Sequence, residues 1–194
     1  FTYPYSYQQS QSLIKELINS IPFTLTSISI TSTVQDQSGQ EIDIVTITDI
    51  ENCLDQKQPQ LEGLFPNNQR PFKINRPKVV ISARVHPGET PSSHCMEGIL
   101  KFLTNEKDFR AVLLRKYFHF ILIPMVNPDG VHEGMFRSDL NGNNLNRYYK
   151  CSRPDQQYFS QYTELLFGPS LSMLILFRKW TSFSTCTPTP PSNV

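Results

Sequence analysis

VVISARVHPGE, residues 79–89, is an apolar run with the character of a β-strand that stops on a histidine, a Pro-Gly turn and a glutamate. Sites in α/β proteins commonly lie just outside the carboxyl ends of sheet strands. His86 offers an imidazole nitrogen and Glu89 a carboxylate oxygen, and both are ordinary zinc ligands when a rigid element holds them. The stretch therefore predicts a buried strand followed by two of the protein ligands for a metal ion.

A second histidine also has a glutamate three residues later, so spacing alone does not identify a metal pair. His94 and Glu97 lie in SSHCMEGILKFL, residues 92–103, where apolar residues recur at helical spacing and Ser92 or Ser93 is expected near the N-cap. We interpret His94 as a surface or partly buried histidine of that helix. The metal assignment stays with the pair that follows the predicted strand.

Composition indicates a globular protein and excludes several functional classes. The chain has 194 residues, 38% of them hydrophobic and 18% charged, which is enough for one domain with a core. Its net charge is +1, so no overall field favours nucleic acid or an anionic membrane. No apolar run approaches the roughly 20 residues that span a bilayer, and no secretory signal pattern is present. With four scattered cysteines, these features predict a cytoplasmic location.

Hydrophobic periodicity predicts an alternation of helices and strands. The pattern predicts a helix over residues 8–21, a hairpin from 23–34 and 41–50, a long loop over 52–77, a strand at 78–85, a helical stretch at 91–116 broken near Asn105, a strand at 118–126 and a loop at 131–149. Two buried strands joined by helices form a βαβ unit with parallel strands. The HPGE turn and the turn at Asn127–Gly130 should therefore open onto one crevice.

The loop at 131–149 carries two arginines, Arg137 and Arg147, among Asn, Gly and Asp residues. Functional groups often lie on loops that a rigid sheet holds. A guanidinium can bind a carboxylate through two parallel hydrogen bonds. These arginines are therefore candidates for carboxylate recognition, and the alternative is that both are solvated surface residues.

Four motifs, FTYPYSY, RVHPGETPSS, NPDGV and RSDLNGNNLNRYY, occur in this order over residues 1 to about 150. In order and spacing they resemble the zinc carboxypeptidase family, and in particular its cytosolic carboxypeptidase branch. The resemblance implies an α/β fold with a mixed sheet flanked by helices, present here incompletely. Residues 1–150 would then be the N-terminal part of a catalytic domain.

The resemblance also implies roles for individual residues. It implies that His86 and Glu89 bind zinc and that Arg137 polarises the scissile carbonyl and steadies the oxyanion. It further implies that Asn146 and Arg147 bind the terminal carboxylate of the substrate. Members of the branch are expected to trim glutamate or other terminal residues from acidic protein tails such as those of tubulin. Arg84, Lys150 and Arg153 are interpreted as ordinary surface charges rather than as a basic lining for such tails.

Two features depart from the family pattern. The family uses a third zinc ligand, a histidine well downstream of the Asn-Arg pair, but His132 is the last histidine in this chain. The family also uses a general-base glutamate far towards the C-terminus, and the only glutamate after residue 133 is Glu164, which is too early for that position. His119 is expected to pack in or beside the core, and neither it nor His132 is expected to replace the lost ligand. The chain alone is therefore expected to be inactive.

The last forty residues differ in character from the rest. After about Asp155 the family pattern is lost, and an apolar run, LSMLILF, is followed by a Ser/Thr/Pro-rich end. We expect residues 151–194 to be a divergent, poorly ordered tail. Because the chain begins with Phe1, we also expect it to be a fragment or a processed product, with a truncation or frame shift near residues 150–160.

Three functions remain open at this point. The first is a zinc-dependent metallocarboxypeptidase. The second is a non-catalytic module that keeps the carboxylate-binding arginines and binds acidic C-terminal tails without cleaving them. The third is hydrolysis of an N-acyl amino acid on the same fold. The sequences of the motifs RVHPGETPSS and NNLNRYY favour the peptidase over this third function.

Overall fold

A computed structural model describes residues 3–20, 26–35, 40–59, 72–147 and 171–176. For 26–35 and 171–176 only the course of the backbone is described. The helices are α1 (Tyr7–Ser20), α2 (Pro91–Leu103), α3 (Phe109–Tyr117) and α4 (Pro128–His132). The strands are β1 (Thr26–Gln35), β2 (Glu41–Asp49), β3 (Cys53–Lys57), β4 (Phe72–Ile74), β5 (Lys78–Ser82), β6 (His119–Ile123) and β7 (Leu171–Leu176).

A mixed sheet of five strands, in the order β1-β2-β6-β5-β7, forms the centre of the molecule. The hairpin β1-β2 is antiparallel, and β2 also runs antiparallel to β6. Strand β5 lies parallel to both β6 and β7. The predicted α/β class with a mixed sheet flanked by helices is confirmed, and so is the predicted parallel pairing of β5 with β6.

The core lies between one face of this sheet and the helices α1 and α2. Alternate strand residues point to one face, and the core on that face is built from apolar residues of β2, β5 and β6. The strand residues are Val45, Ile47, Val79, Ile81, Phe120 and Leu122, and the helical residues are Leu13, Ile14, Met96, Leu100 and Leu103. The residues of α2 recur at intervals of about one turn, and those of α1 are adjacent on one side of the helix, so each helix buries one stripe. This packing fixes β5 and β6, whose carboxyl ends carry the site.

The helical connection between β5 and β6 is broken where the sequence predicts it. Helix α2 ends at Leu103, and the side chain of Asp108 accepts a hydrogen bond from the backbone N–H of Arg110 to begin α3. The N-cap of α2 differs from the prediction, since that position belongs to Thr90 and Pro91 is the first helical residue. Pro has no N–H to satisfy, so it suits this position.

The predicted long loop at 52–77 is partly wrong. Strands β3 and β4 pair antiparallel within it and form a separate sheet of two strands. These strands are too short to show a clear periodicity, and the prolines between them are typical of a loop. Of the predicted tail 151–194, the described part is strand β7, which lies in the apolar run LSMLILF, and the rest falls outside the described residues. Within the described ranges, no helix is both long enough and apolar enough to cross a membrane.

Candidate metal and carboxylate site

The carboxyl ends of β5 and β6 bring two turns together. Beyond the strands the backbone pairing continues, because Val126 N–H donates to the Ala83 carbonyl at 3.0 Å and Asn127 N–H donates to the Arg84 carbonyl at 3.2 Å. The HPGE turn and the turn at Asn127–Gly130 therefore leave the sheet side by side. This agrees with the crevice that the sequence predicts.

Asn127 joins the two turns to the loop that carries the arginines. Its side-chain oxygen accepts from Gly130 N–H at 2.9 Å and so caps α4. Its side-chain nitrogen donates to the carbonyls of Val85, at 3.4 Å, and Ser138, at 3.1 Å. A single buried amide thus fixes the segment between β5 and the HPGE turn, the start of α4 and the residue next to Arg137.

His86 and Glu89 converge as a metal pair should. His86 is 4% exposed, and its Nδ1 lies 3.0 Å from Oε1 of Glu89. The turn is closed by the Glu89 N–H, which donates to the His86 carbonyl at 3.1 Å. Two ligands at about 2.1 Å from a tetrahedral zinc ion lie roughly 3.4 Å apart. At 3.0 Å the two atoms are in hydrogen-bond contact, slightly closer than this, so a small separation would let them hold a zinc ion through Nδ1 of the imidazole.

A third ligand is not found in the described part of the chain, where no three His, Cys, Asp or Glu side chains form a group that could hold a metal. The alternative pair is engaged elsewhere. His94 is exposed and lies 3.3 Å from the Tyr3 carbonyl, while Glu97 accepts from Lys101 at 2.6 Å. The exposure of His94 and the burial of His119 agree with their interpretation from the sequence. His132 is exposed.

Two asparagines meet the other nitrogen of His86. Oδ1 of Asn144 lies 3.1 Å from Nε2, and Nδ2 of Asn146 lies 3.2 Å from the same atom. An amide oxygen can only accept, so Asn144 pairs with a protonated Nε2, whereas the amide nitrogen of Asn146 pairs with a bare one. When Nδ1 binds a metal, Nε2 carries the proton and Asn144 is its acceptor. Asn144 is not among the site residues predicted from the sequence.

Arg137 lies beside the metal pair. Its NH1 is 4.0 Å from Oε1 of Glu89, and its side chain is 48% exposed. Arg147 is also exposed, and its backbone N–H donates to the Asn144 carbonyl at 2.9 Å. The structure thus brings Arg137 and Asn146 to His86 and Glu89, and it places Arg147 one residue beyond Asn146 in the short 3-10 turn Leu145–Arg147.

Asp139 organises the loop that presents these groups. Its Oδ1 accepts from the N–H groups of Asn141, at 3.0 Å, and Asn143, at 2.7 Å, and its own N–H donates to the Asn143 carbonyl at 3.0 Å. Gly142 has a φ of +78°, which glycine adopts without steric cost. The pattern Asp-x-Asn-Gly is a sequence signal for this turn, and it could have predicted the role of Asp139.

Comparison with known proteins agrees with this fold and shows the family. A model of the zinc carboxypeptidase family matches residues 10–164, so the chain belongs to that family. Among curated proteins it is similar to cytosolic carboxypeptidase-like protein 5 of Rattus norvegicus, with 40% identity over 161 residues, 77% of this chain and 19% of that protein. It is also similar to cytosolic carboxypeptidase 6 of Caenorhabditis elegans, with 37% identity over 148 residues, 76% of this chain and 27% of that protein. The chain thus spans about a fifth to a quarter of the relatives it matches.

Solved structures show the same fold. A putative carboxypeptidase A from Shewanella denitrificans matches with a TM-score of 0.65 at 23% identity, covering 89% of this chain and 39% of that one. A metallo-carboxypeptidase from Burkholderia cenocepacia matches with a TM-score of 0.64 at 22% identity, covering 89% and 40%. Both likenesses concern the fold alone.

Asn144→Ala should weaken zinc binding by about 10- to 100-fold, because the outer partner of a metal-binding histidine fixes its tautomer and orientation. Asn144→Asp should bind zinc at least as well as the wild type, since a carboxylate also accepts from Nε2. Zinc affinity would be measured by competition with a chelator. Asn141→Ala is the matched control on the same loop, because the side chain of Asn141 is exposed. Equal affinities for the Asn144→Ala and Asn141→Ala variants would contradict the assigned role.

Proposed function

We propose that this chain contributes the zinc-binding turn and the carboxylate-binding loop of a metallocarboxypeptidase that removes terminal residues from protein tails. The observation that carries the proposal is the convergence on one imidazole of the groups that this chemistry needs. His86 contacts Glu89 at 3.0 Å and Asn146 at 3.2 Å, and Arg137 lies 4.0 Å from Glu89. Family membership gives the reaction class, and the substrate is a proposal.

His86 and Glu89 would hold the zinc ion. When bound, the ion would act as a Lewis acid towards the scissile carbonyl and lower the pKa of a bound water. Burial of His86 at the end of β5 keeps the imidazole in one orientation, so little conformational entropy is lost when a metal binds. Glu89 is more accessible, with 22% of its side chain exposed, as a ligand facing a crevice should be.

Arg137 would stabilise negative charge on the carbonyl oxygen during hydrolysis. Its guanidinium is a positively charged group 4.0 Å from Glu89, on a loop that Asn127 ties to the sheet. Groups already oriented towards developing charge stabilise it without reorganisation. With 48% of its side chain exposed, Arg137 remains open to a substrate entering from solvent.

Asn146 and Arg147 would bind the terminal carboxylate of the substrate. An arginine can grip a carboxylate with two hydrogen bonds, and an amide nitrogen can add a third. Both residues belong to the 3-10 turn Leu145–Arg147 beside His86. Holding the free carboxylate here would confine cleavage to the last peptide bond.

For the substrate we propose acidic C-terminal tails, with terminal glutamate as the leaving residue and tubulin as an example. The two exposed arginines of the loop support a negatively charged partner. A cytosolic setting is proposed as well, because the similar curated proteins are named cytosolic carboxypeptidases. Nucleic acid and membranes are not proposed as partners, since the chain has a net charge of only +1.

We further propose that the chain alone has little activity. Catalytic zinc usually has three protein ligands, and its water needs a general base. His132 is the last histidine of the chain, and Glu164 is the only glutamate after residue 133. A non-catalytic module that binds acidic tails is the second candidate. It is favoured by the exposed arginines and by the lack of a third metal ligand among the described residues.

Zinc binding and peptide cleavage by the purified chain test both candidates. We expect zinc binding that is weak and that His86→Ala abolishes, together with no glutamate release from a peptide ending in glutamates. We also expect that peptide to bind, and a version with an amidated C-terminus to lose the binding. Tight stoichiometric zinc with turnover would overturn the proposed inactivity. Zinc binding equal to that of His86→Ala would overturn the metal site, and equal binding of both peptides would overturn the carboxylate site.

A further inference from the structure

Arg84, two residues before His86, is buried rather than exposed. Only 3% of its surface is accessible, so the sequence interpretation of Arg84 as a surface charge is wrong. Its φ is +57°, and it is the one residue other than glycine with a positive φ among those the structure describes. This left-handed conformation costs an ordinary side chain roughly 1 kcal/mol or more.

The Arg84 guanidinium binds three segments: the HPGE turn, the start of α2 and the N-terminal segment around Tyr5. Its Nε donates to the Pro87 carbonyl at 2.8 Å, inside the HPGE turn. Its NH1 donates to the Tyr5 carbonyl at 2.9 Å and to the hydroxyl of Ser93, in α2, at 2.8 Å. All three acceptors are neutral. An arginine side chain stays protonated in proteins, so a charged group lies buried among neutral partners.

A buried cation with neutral partners is a poor way to stabilise a core. Desolvation of a charge costs several kcal/mol, and apolar residues of similar volume commonly serve stability better. Arg84 combines this cost with a strained backbone at the residue where β5 gives way to the HPGE turn. Strain that persists at such a position is often part of a functional site.

We propose that Arg84 is a positioning residue for the metal pair. The Pro87 carbonyl belongs to the peptide group between Pro87 and Gly88, midway between His86 and Glu89. By holding that carbonyl against the Tyr5 segment and α2, Arg84 fixes the two ligands at their 3.0 Å separation. The FTYPYSY and RVHPGETPSS motifs are thus physically joined at Arg84.

Arg115 provides a matched comparison for a purely structural role. It is 4% exposed, and its NH1 donates to the carbonyls of Leu103, at 2.6 Å, and Asn105, at 3.4 Å. Like Arg84 it is a buried guanidinium with neutral acceptors, but it lies in α3 and braces the connection between α2 and α3. Its loss should lower stability and leave the metal pair unchanged.

The test uses Arg84→Gly, Arg84→Lys and Arg115→Ala. Glycine accepts the positive φ, so Arg84→Gly removes the side chain without adding backbone strain. Lysine keeps the charge but has a single nitrogen for three acceptors. Urea unfolding would report stability, and chelator competition would report zinc affinity. The ¹⁵N shifts of the His86 imidazole, assigned by comparison with His86→Ala, would report its contacts with Glu89 and Asn144 in the absence of metal.

We expect Arg84→Gly to weaken zinc binding about 10-fold or more and to move the His86 ¹⁵N shifts towards those of a free imidazole. Arg84→Lys should do the same, because geometry and not charge is lost. Arg115→Ala should lower the urea midpoint and change neither reading. Wild-type ¹⁵N shifts in folded Arg84→Gly would overturn the proposal.

If Arg84→Gly does not fold, Ser93→Ala tests the positioning role instead, because it removes one acceptor and leaves the guanidinium in place. A several-fold loss of zinc affinity or a shift of the His86 signals then supports the role, and wild-type values in both readings overturn it. The zinc reading rests on the proposed function, whereas the ¹⁵N reading does not. If the wild type does not bind zinc, the proposed metal site is wrong, but the ¹⁵N shifts still test whether Arg84 positions His86.

Discussion

Replacing Gly130 by alanine should destabilise the protein by about 3 kcal/mol or more, because the new methyl group has no space. A Cβ at this position would lie 2.5 Å from Cγ of Pro87, 2.8 Å from Oδ1 of Asn127 and 2.9 Å from the Ser138 carbonyl oxygen. The first atom belongs to a ring, the last is backbone, and the Asn127 amide is held by three hydrogen bonds, so none of them can move away without cost. The clash would push the HPGE turn away from the turn at Asn127–Gly130, so metal binding should weaken together with stability.

Two other glycines serve as controls for Gly130→Ala. Gly98 lies in α2, and a Cβ added there would meet nothing within 4 Å, so Gly98→Ala should be neutral or stabilising by up to about 1 kcal/mol. Gly134 is equally open but has a φ of +72°, so Gly134→Ala should cost about 1 kcal/mol of backbone strain alone. Urea unfolding measures all three. A cost for Gly130→Ala no larger than that for Gly134→Ala would show that the turns can separate without loss.

The sequence predicts the parts of the fold that depend on local patterns. The apolar runs of β5 and β6 and the helical stripe of α2 each identify their element without help from distant residues. The parallel pairing of β5 with β6 follows from a general rule for βαβ units. That rule then places the HPGE turn beside the turn at Asn127–Gly130, which is why the position of the candidate site could be predicted as well.

The supports of the site could not be predicted, because they depend on contacts between residues far apart in sequence. Arginine is usually a surface residue, and nothing in RVHPGE indicates that Arg84 reaches the carbonyl of Tyr5, 79 positions away. Asn144 is one of four asparagines in NGNNLN, and only the turn built on Asp139 selects it for His86. Ser92 and Ser93 are a further example. Their sequence position predicts an N-cap, but the Ser92 hydroxyl donates to the Glu89 carbonyl and the Ser93 hydroxyl accepts from Arg84.

The free energy of unfolding should fall by up to about 3 kcal/mol as the pH is lowered from about 6.5 to about 4, because of His119. His119 is 1% exposed, and neither of its ring nitrogens has a hydrogen-bond partner among the described residues. Burial, and to a lesser degree the nearby charge of Lys78, lowers the pKa of His119 to about 4. Between this value and the ordinary value near 6.5, the unfolded chain binds a proton that the folded chain does not. Above about pH 6.5 both states are neutral, and the contribution is constant.

The variant His119→Leu isolates this contribution, since carboxylates that titrate at low pH affect both proteins alike. Leucine fills a similar volume and has no nitrogen to desolvate, so the variant should also be more stable than the wild type at pH 7. Urea unfolding at pH 7 and pH 4.5 gives the difference, and His132→Gln is the control because the side chain of His132 is 44% exposed. If the wild type and His119→Leu lost the same free energy between the two pH values, the imidazole would have to be protonated or hydrated inside the fold. A burial as complete as that of His119 makes this outcome physically costly, which is why the comparison is decisive.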